Sequence, residues 1–180
     1  QPIEQLSTFR AMPGFYTFRP ADGNENVKCW QIALSLDAPS AFVLSRQGLE
    51  PLPKPVFGEP KNGGYLVKES SGAKITLIAS GSEVELCLKA ANLLESKDIK
   101  TNVVSVPCFE ILWKQEKSYL DRILKGKVLA VEAASGLEWY KFADEVLGMQ
   151  TFGESGKSGD LFKHFGFSDT NIAKIAESLL

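Results

Sequence analysis

Several places in the sequence carry side chains that do chemistry in proteins, and each has a plainer role to weigh against it. Arg46 lies in Ser45-Arg46-Gln47, just past the apolar run Ser40 to Leu44. A guanidinium at the end of a strand can hold a phosphate through two parallel hydrogen bonds. In open α/β sheets the carboxyl ends of the strands are where ligands bind. The plainer role is a solvated or ion-paired surface arginine, and position alone leaves the two balanced. Ser80-Gly81-Ser82 stands where a strand meets a helix start, so free N–H groups there suit a small anion. A tight turn with an N-cap is the stronger alternative.

The remaining candidates are weaker. Gly153 to Ser158, GESGKS, resembles a phosphate-binding loop but lacks the required first glycine, because Thr151 occupies that position. Glu154 would also repel a polyphosphate, so a solvated connecting loop is the better reading. His164, the single histidine, has no Cys, Asp or second His at ligand spacing and no orienting carboxylate nearby in sequence. Cys29, Cys87 and Cys108 sit in or beside apolar stretches and suit buried structural thiols. Glu132 follows a buried strand and reads as a lone carboxylate, tilted toward a structural role.

These residues must be positioned by strands and helices in alternation. The stretch KITLIASGSEVELCLKAANLLES, from Lys74, holds a five-residue apolar strand (Ile75 to Ala79) and a break at Ser80-Gly81. Helical spacing follows at Val84, Cys87, Leu88, Ala91 and Leu94. Ser82 and Glu85 form an S-x-x-E capping-box pattern, and Glu85 precedes Lys89 by four. Further strands are expected at Lys100 to Val106, Lys127 to Val131 and Met149 to Phe152, with an edge strand at Tyr65 to Lys68. Helices are expected at Ile111 to Leu124, Leu137 to Leu147, Asp160 to Phe165, and after Ser168 or Asp169. Upstream, the spacing predicts a helix over Ile3 to Met12, a strand over Phe15 to Phe18 and a helix over Glu25 to Leu36 with Val27, Trp30 and Leu34 on one side. The fold class that follows is α/β: a three-layer, mostly parallel sheet flanked by helices, preceded by a partial α/β segment. Pro51, Pro53, Pro55 and Pro60 stiffen the run between Gly48 and Gly64, which marks an extended linker.

Composition narrows the function classes. With 180 residues and a formal net charge of -2, neither nucleic acid nor an anionic membrane is an expected partner. No apolar run is long enough to span a bilayer, and no basic segment followed by an apolar core opens the chain. Three widely spaced cysteines with no C-x-x-C favour reduced thiols and a cytoplasmic location. Gln1-Pro2-Ile3-Glu4 reads as the middle of a longer sequence.

Nine strings in register now resemble transketolase: Gln1 to Glu4; Phe15 through Arg19-Pro20-Ala21-Asp22 with Glu25; Leu44 to Gln47; Gly63-Gly64-Tyr65; Ala79 to Val84; Val103 to Pro107; Val131 to Ala133; Phe152 to Gly156; and Phe165 to Phe167. The resemblance implies that residues 1–52 are the end of a pyrimidine-binding domain, 53–62 a linker and 63–180 the C-terminal domain. It implies a parent that transfers a two-carbon ketol unit between sugar phosphates in the pentose phosphate pathway, with thiamine diphosphate and magnesium, as a homodimer. It also assigns the substrate phosphate to Arg46, and no other catalytic, cofactor or metal residue falls in the chain. The remaining family motifs would lie upstream, so these residues alone are expected to be inactive and to bind no cofactor. Two other readings stand beside it: a stand-alone anion-binding or regulatory module using Ser80 to Ser82, and part of a related enzyme such as dihydroxyacetone synthase.

Overall fold

The computed structural model describes all 180 residues. The first part of the chain forms α1 (Gln5–Arg10), β1 (Tyr16–Phe18), α2 (Gly23–Ser35) and β2 (Ser40–Phe42). β1 and β2 pair in parallel, with Thr17 opposite Ala41. Residues 43–59 then run without helix or strand, touching the sheet that follows through an isolated bridge between Phe57 and Leu66. The second part contains β3 (Tyr65–Lys68), β4 (Ile75–Ala79), α3 (Glu83–Glu95), β5 (Thr101–Ser105), α4 (Phe109–Trp113), α5 (Lys117–Ile123), β6 (Lys127–Val131), β7 (Glu145–Leu147), α6 (Ser158–His164) and α7 (Asp169–Ser178).

These strands make one five-stranded sheet in the order β3-β5-β4-β6-β7. All pairs are parallel except the edge strand β3, which runs antiparallel to β5. The two-residue alternation of a strand sorts the side chains onto two faces. Ile75, Leu77 and Ala79 of β4, with Leu129 and Val131 of β6, pack under α3 and α7. Ile78 of β4, with Val128 and Ala130 of β6, packs on the opposite face against Phe109, Leu112, Ile123 and Trp139. Helix, sheet and helix are therefore three layers, as the apolar runs imply.

Several sequence expectations are corrected. The single helix over 111–124 is two, because Glu116 takes extended geometry as the N-cap of α5, and the Gln115 side-chain amide donates to the Ile111 carbonyl. The region 137–147 is not a helix. It opens as a short 3-10 turn, Leu137–Lys141, and closes as β7, where the Asp144 carboxylate accepts the Val128 N–H and fixes the register with β6. The fourth strand is thus β7, and Met149 to Phe152 is not a strand. The capping box at Ser82 does not form: Ser82 Oγ donates to Glu83, and Glu85 pairs with Lys89 at 2.5 Å. Ser168 does cap α7, accepting the Asn171 N–H. Val27, Trp30 and Leu34 share a face of α2, but that face is exposed.

Gly63 joins the two parts at a close approach. Its φ is +78°, and a Cβ there would stand 2.2 Å from the Leu112 nitrogen and 2.6 Å from the Cys108 carbonyl oxygen. Gly72 has φ +75° but open space around it. Gly72→Ala should therefore cost about 1 kcal/mol, the backbone penalty alone. Gly63→Ala should cost at least about 2 kcal/mol more, since backbone must move to admit the methyl group. Equal urea midpoints for the two variants would contradict this packing.

Candidate functional site

Two features lie where the first part of the chain meets the sheet: a buried ion cluster and an exposed arginine loop. The cluster centres on Glu132, which follows β6 and is fully buried. Arg10, from the end of α1, reaches its Oε2 at 2.8 Å, and Arg19, just past β1, reaches its Oε1 at 2.5 Å. The Trp139 indole donates to Oε2 at 2.9 Å, and Ser80 Oγ lies 3.2 Å from both oxygens. Arg10 also pairs with Glu138, and Arg19 with Glu83. Two guanidiniums thus meet three carboxylates. Burial opposes the charge on Glu132, but Arg19 and Arg10 outweigh it and hold its carboxyl below the usual carboxylate range.

The cluster changes how two candidates read. Glu132 is not a lone carboxylate, since every lone-pair direction has a donor. The Ser80 to Ser82 turn presents no free anion cradle. Arg19 donates to the Ser80 carbonyl at 2.7 Å and lies against Gly81, and two buried carboxylates, Glu83 and Glu132, stand beside the turn. An incoming anion would be repelled there, so the anion-module reading loses its site.

Arg10 and Arg19 were missed as site residues in the sequence. The signal for Arg10 was its place on the apolar spacing of α1, where it alternates with Phe9 as the next buried position. Arg19 carried no such mark.

A second buried group links the parts. Glu25 of α2 accepts from the Tyr65 hydroxyl at 2.8 Å, the Ser105 hydroxyl at 2.7 Å and the Ala21 N–H. Burial pushes its carboxyl up to about 7, although the three donors pull the other way. Cys29, Cys87 and Cys108 are free and buried, and burial pushes each thiol up. His164 is exposed, 3.7 Å from an equally exposed Glu154.

Arg46 is exposed in the loop that leaves β2. The other three arginines, Arg10, Arg19 and Arg122, are each ion-paired. Arg46 enters no ion pair. Beside it is a shallow hollow of ≈ 190 Å³ at the start of α2, lined by Asp22, Asn26, Ser45 and Gln47 among others. No three His, Cys, Asp or Glu side chains come together to hold a metal ion. No helix is long and apolar enough to cross a membrane.

Comparison with known proteins gives this geometry a family. Residues 1–51 match the transketolase pyrimidine binding domain, and residues 63–168 match the transketolase-like TK C-terminal domain. The chain belongs to the transketolase family. Transketolase 2 of Vibrio vulnificus (strain CMCP6) is 39% identical over an alignment of 190 positions that takes in 100% of this chain and 29% of that protein. A probable transketolase of Schizosaccharomyces pombe is 38% identical, over 98% of this chain and 26% of its own length. The crystal structure of a Campylobacter jejuni transketolase superimposes with a TM-score of 0.97 at 62% identity, covering 99% of this chain and 28% of that one. A Pichia stipitis transketolase in complex with sedoheptulose-7-phosphate gives 0.92 at 36% identity, covering 99% and 27%. The chain therefore spans under a third of the length of these relatives.

Two stability predictions follow from the buried carboxylates. Glu132→Ala leaves two guanidiniums buried without their shared partner and should cost about 3–5 kcal/mol in urea unfolding. A loss below 1 kcal/mol would mean the cluster is solvated in solution. Glu25 behaves in the opposite sense to an ion-paired carboxylate. The folded chain keeps its proton up to about 7, whereas the unfolded chain releases it near 4.5. Stability from this group should fall by about 3 kcal/mol as the pH rises from 4.5 to 7, then level off. Glu25→Gln has no such proton to lose. Parallel pH profiles for wild type and variant would refute the assignment.

Proposed function

We propose that the chain is the carboxyl-terminal part of a transketolase and that its own contribution to the reaction is Arg46, a ligand for the substrate phosphate. The observation that carries this is the unpaired guanidinium in the loop past the carboxyl end of β2, in a chain whose other arginines are all ion-paired internally. An unpaired arginine keeps its planar fork available for a phosphate dianion, which accepts two parallel hydrogen bonds. The phosphorylated ketose in the Pichia stipitis relative supports that substrate class.

In this reading residues 1–52 end a pyrimidine-binding domain, 53–62 link, and 63–180 form the C-terminal domain. The family matches over 1–51 and 63–168, and the two separate sheets, support that division. The whole protein transfers a two-carbon ketol unit between sugar phosphates in the pentose phosphate pathway, as a cytoplasmic homodimer. Thiamine diphosphate, when bound, supplies the nucleophilic carbon, and magnesium anchors its diphosphate. The buried carboxylates of this chain, Glu132 and Glu25, are committed to internal donors. Arg46 orients the substrate by its phosphate, and the remaining residues hold Arg46 and the interface between the two parts.

The test is a ketol-transfer assay on the full-length protein. Arg46→Ala should raise the KM for a phosphorylated ketose by about tenfold or more, the size of a lost charge-assisted contact, and move that for the phosphate-free ketose erythrulose much less. The 180-residue chain alone should show no turnover. An equal effect on both donors would remove Arg46 from phosphate binding, and turnover by the isolated chain would overturn the division of labour.

A further inference from the structure

We infer that Asp22 is a positioning residue for Arg46, setting the loop that carries it through a carboxylate shared between a helix cap and the loop's far end. The inference rests on the reading of Arg46 as a phosphate ligand.

The loop runs from Val43 to Leu52. Its first residue donates its N–H to the Phe18 carbonyl at 2.9 Å. Its last donates its N–H to Asp22 Oδ2 at 2.7 Å. Between those anchors no backbone group of residues 44–51 hydrogen-bonds another backbone group. Arg46, Gln47, Gly48, Glu50 and Pro51 are exposed. The geometry of the loop is thus set at its two feet, and both stand on the five-residue run Phe18 to Asp22.

That run is itself fixed to the large sheet. Arg19 donates its N–H to the Pro107 carbonyl at 2.8 Å and accepts the Gly81 N–H at 3.0 Å. Its side chain enters the ion cluster at Glu83 and Glu132. Gly81 permits this approach: its φ is +56°, and a Cβ would meet the Arg19 side chain at 2.9 Å. Three residues on, Asp22 is only 6% exposed and uses both carboxylate oxygens. Oδ1 accepts the Glu25 N–H at 2.6 Å and caps α2, leaving Oδ2 for Leu52.

The two oxygens can be separated by substitution. Asn and Ser are good N-caps in place of Asp, so either keeps α2 started. Each has only one acceptor oxygen for two N–H donors, and the serine hydroxyl is too short to span both. Asp22→Asn and Asp22→Ser in the full-length protein should therefore release Leu52 and leave the fold in place. Both should raise the KM for a phosphorylated ketose about tenfold, the weight of one charge-assisted hydrogen bond. Both should keep kcat, and the KM for erythrulose, within about twofold. Adding either to Arg46→Ala should raise the KM for the phosphorylated ketose no further, because coupled residues are not additive.

The inference is overturned by any of four results: an unchanged KM for the phosphorylated ketose, an equal rise for both ketoses, an additive double variant, or failure of both variants to fold. The last would show that Oδ2 serves the fold rather than the loop. If Arg46→Ala itself fails to distinguish the two ketoses, the phosphate assignment falls first, and this inference with it.

Discussion

The carboxylate of Glu132 is the point on which the arrangement depends. It closes β6 at the carboxyl end of the sheet, with no access to water. A charge in that position is costly unless it is paired and fully hydrogen-bonded. The sheet has no cation of its own near it. Arg10 and Arg19 come from the other part of the chain, one from α1 and one from the end of β1. The requirement to neutralise one buried carboxylate therefore fixes how the two-stranded sheet sits on the five-stranded one. Trp139 and Ser80 fill the remaining hydrogen-bonding directions, so the cluster specifies one arrangement rather than merely attracting opposite charges.

Glu25 makes the second link by a different device. It carries no cation partner and meets hydroxyls from β3 and β5 instead. Between the two carboxylates the junction is held on both sides of Arg19-Pro20-Ala21. Arg46 is on the smaller part, but the backbone run that anchors both feet of its loop is held by the larger one, through the Arg19 backbone bonds to Pro107 and Gly81 and its side-chain pair with Glu132.

The layers of the large sheet were legible in the sequence because they follow from local period. The runs at 75–79 and 127–131 matched their strands residue for residue, since both faces of a central strand must be apolar. The misreadings share a cause. Leu112 and Ile123 lie eleven residues apart, a spacing that one continuous helix would also place on one face, so the apolar pattern cannot show the break at Glu116. Glu145-Val146-Leu147 is buried at one position only, Val146, and became a strand because Asp144 and β6 supply its ladder. At Ser82 the capping pattern was present, but Glu85 found Lys89 and Ser82 found Glu83. Partners one and four residues along the chain displaced a motif worth about 1 kcal/mol.

The site divides along the same line. The exposed loop position of Arg46 was legible because it follows a strand end, which is a local feature. Arg19 was not, because nothing in Phe18-Arg19-Pro20 says that two glutamates, 64 and 113 residues away in sequence, will converge on it. Buried charge pairs over such separations leave no periodic trace. What they do leave is an arithmetic one. Of four arginines, three are ion-paired within the chain, Arg10 and Arg19 in the buried cluster and Arg122 at the surface, and the one left over lies in the loop past β2. The same separation that hides the cluster from sequence reasoning is what makes Arg46 stand out once the fold is known.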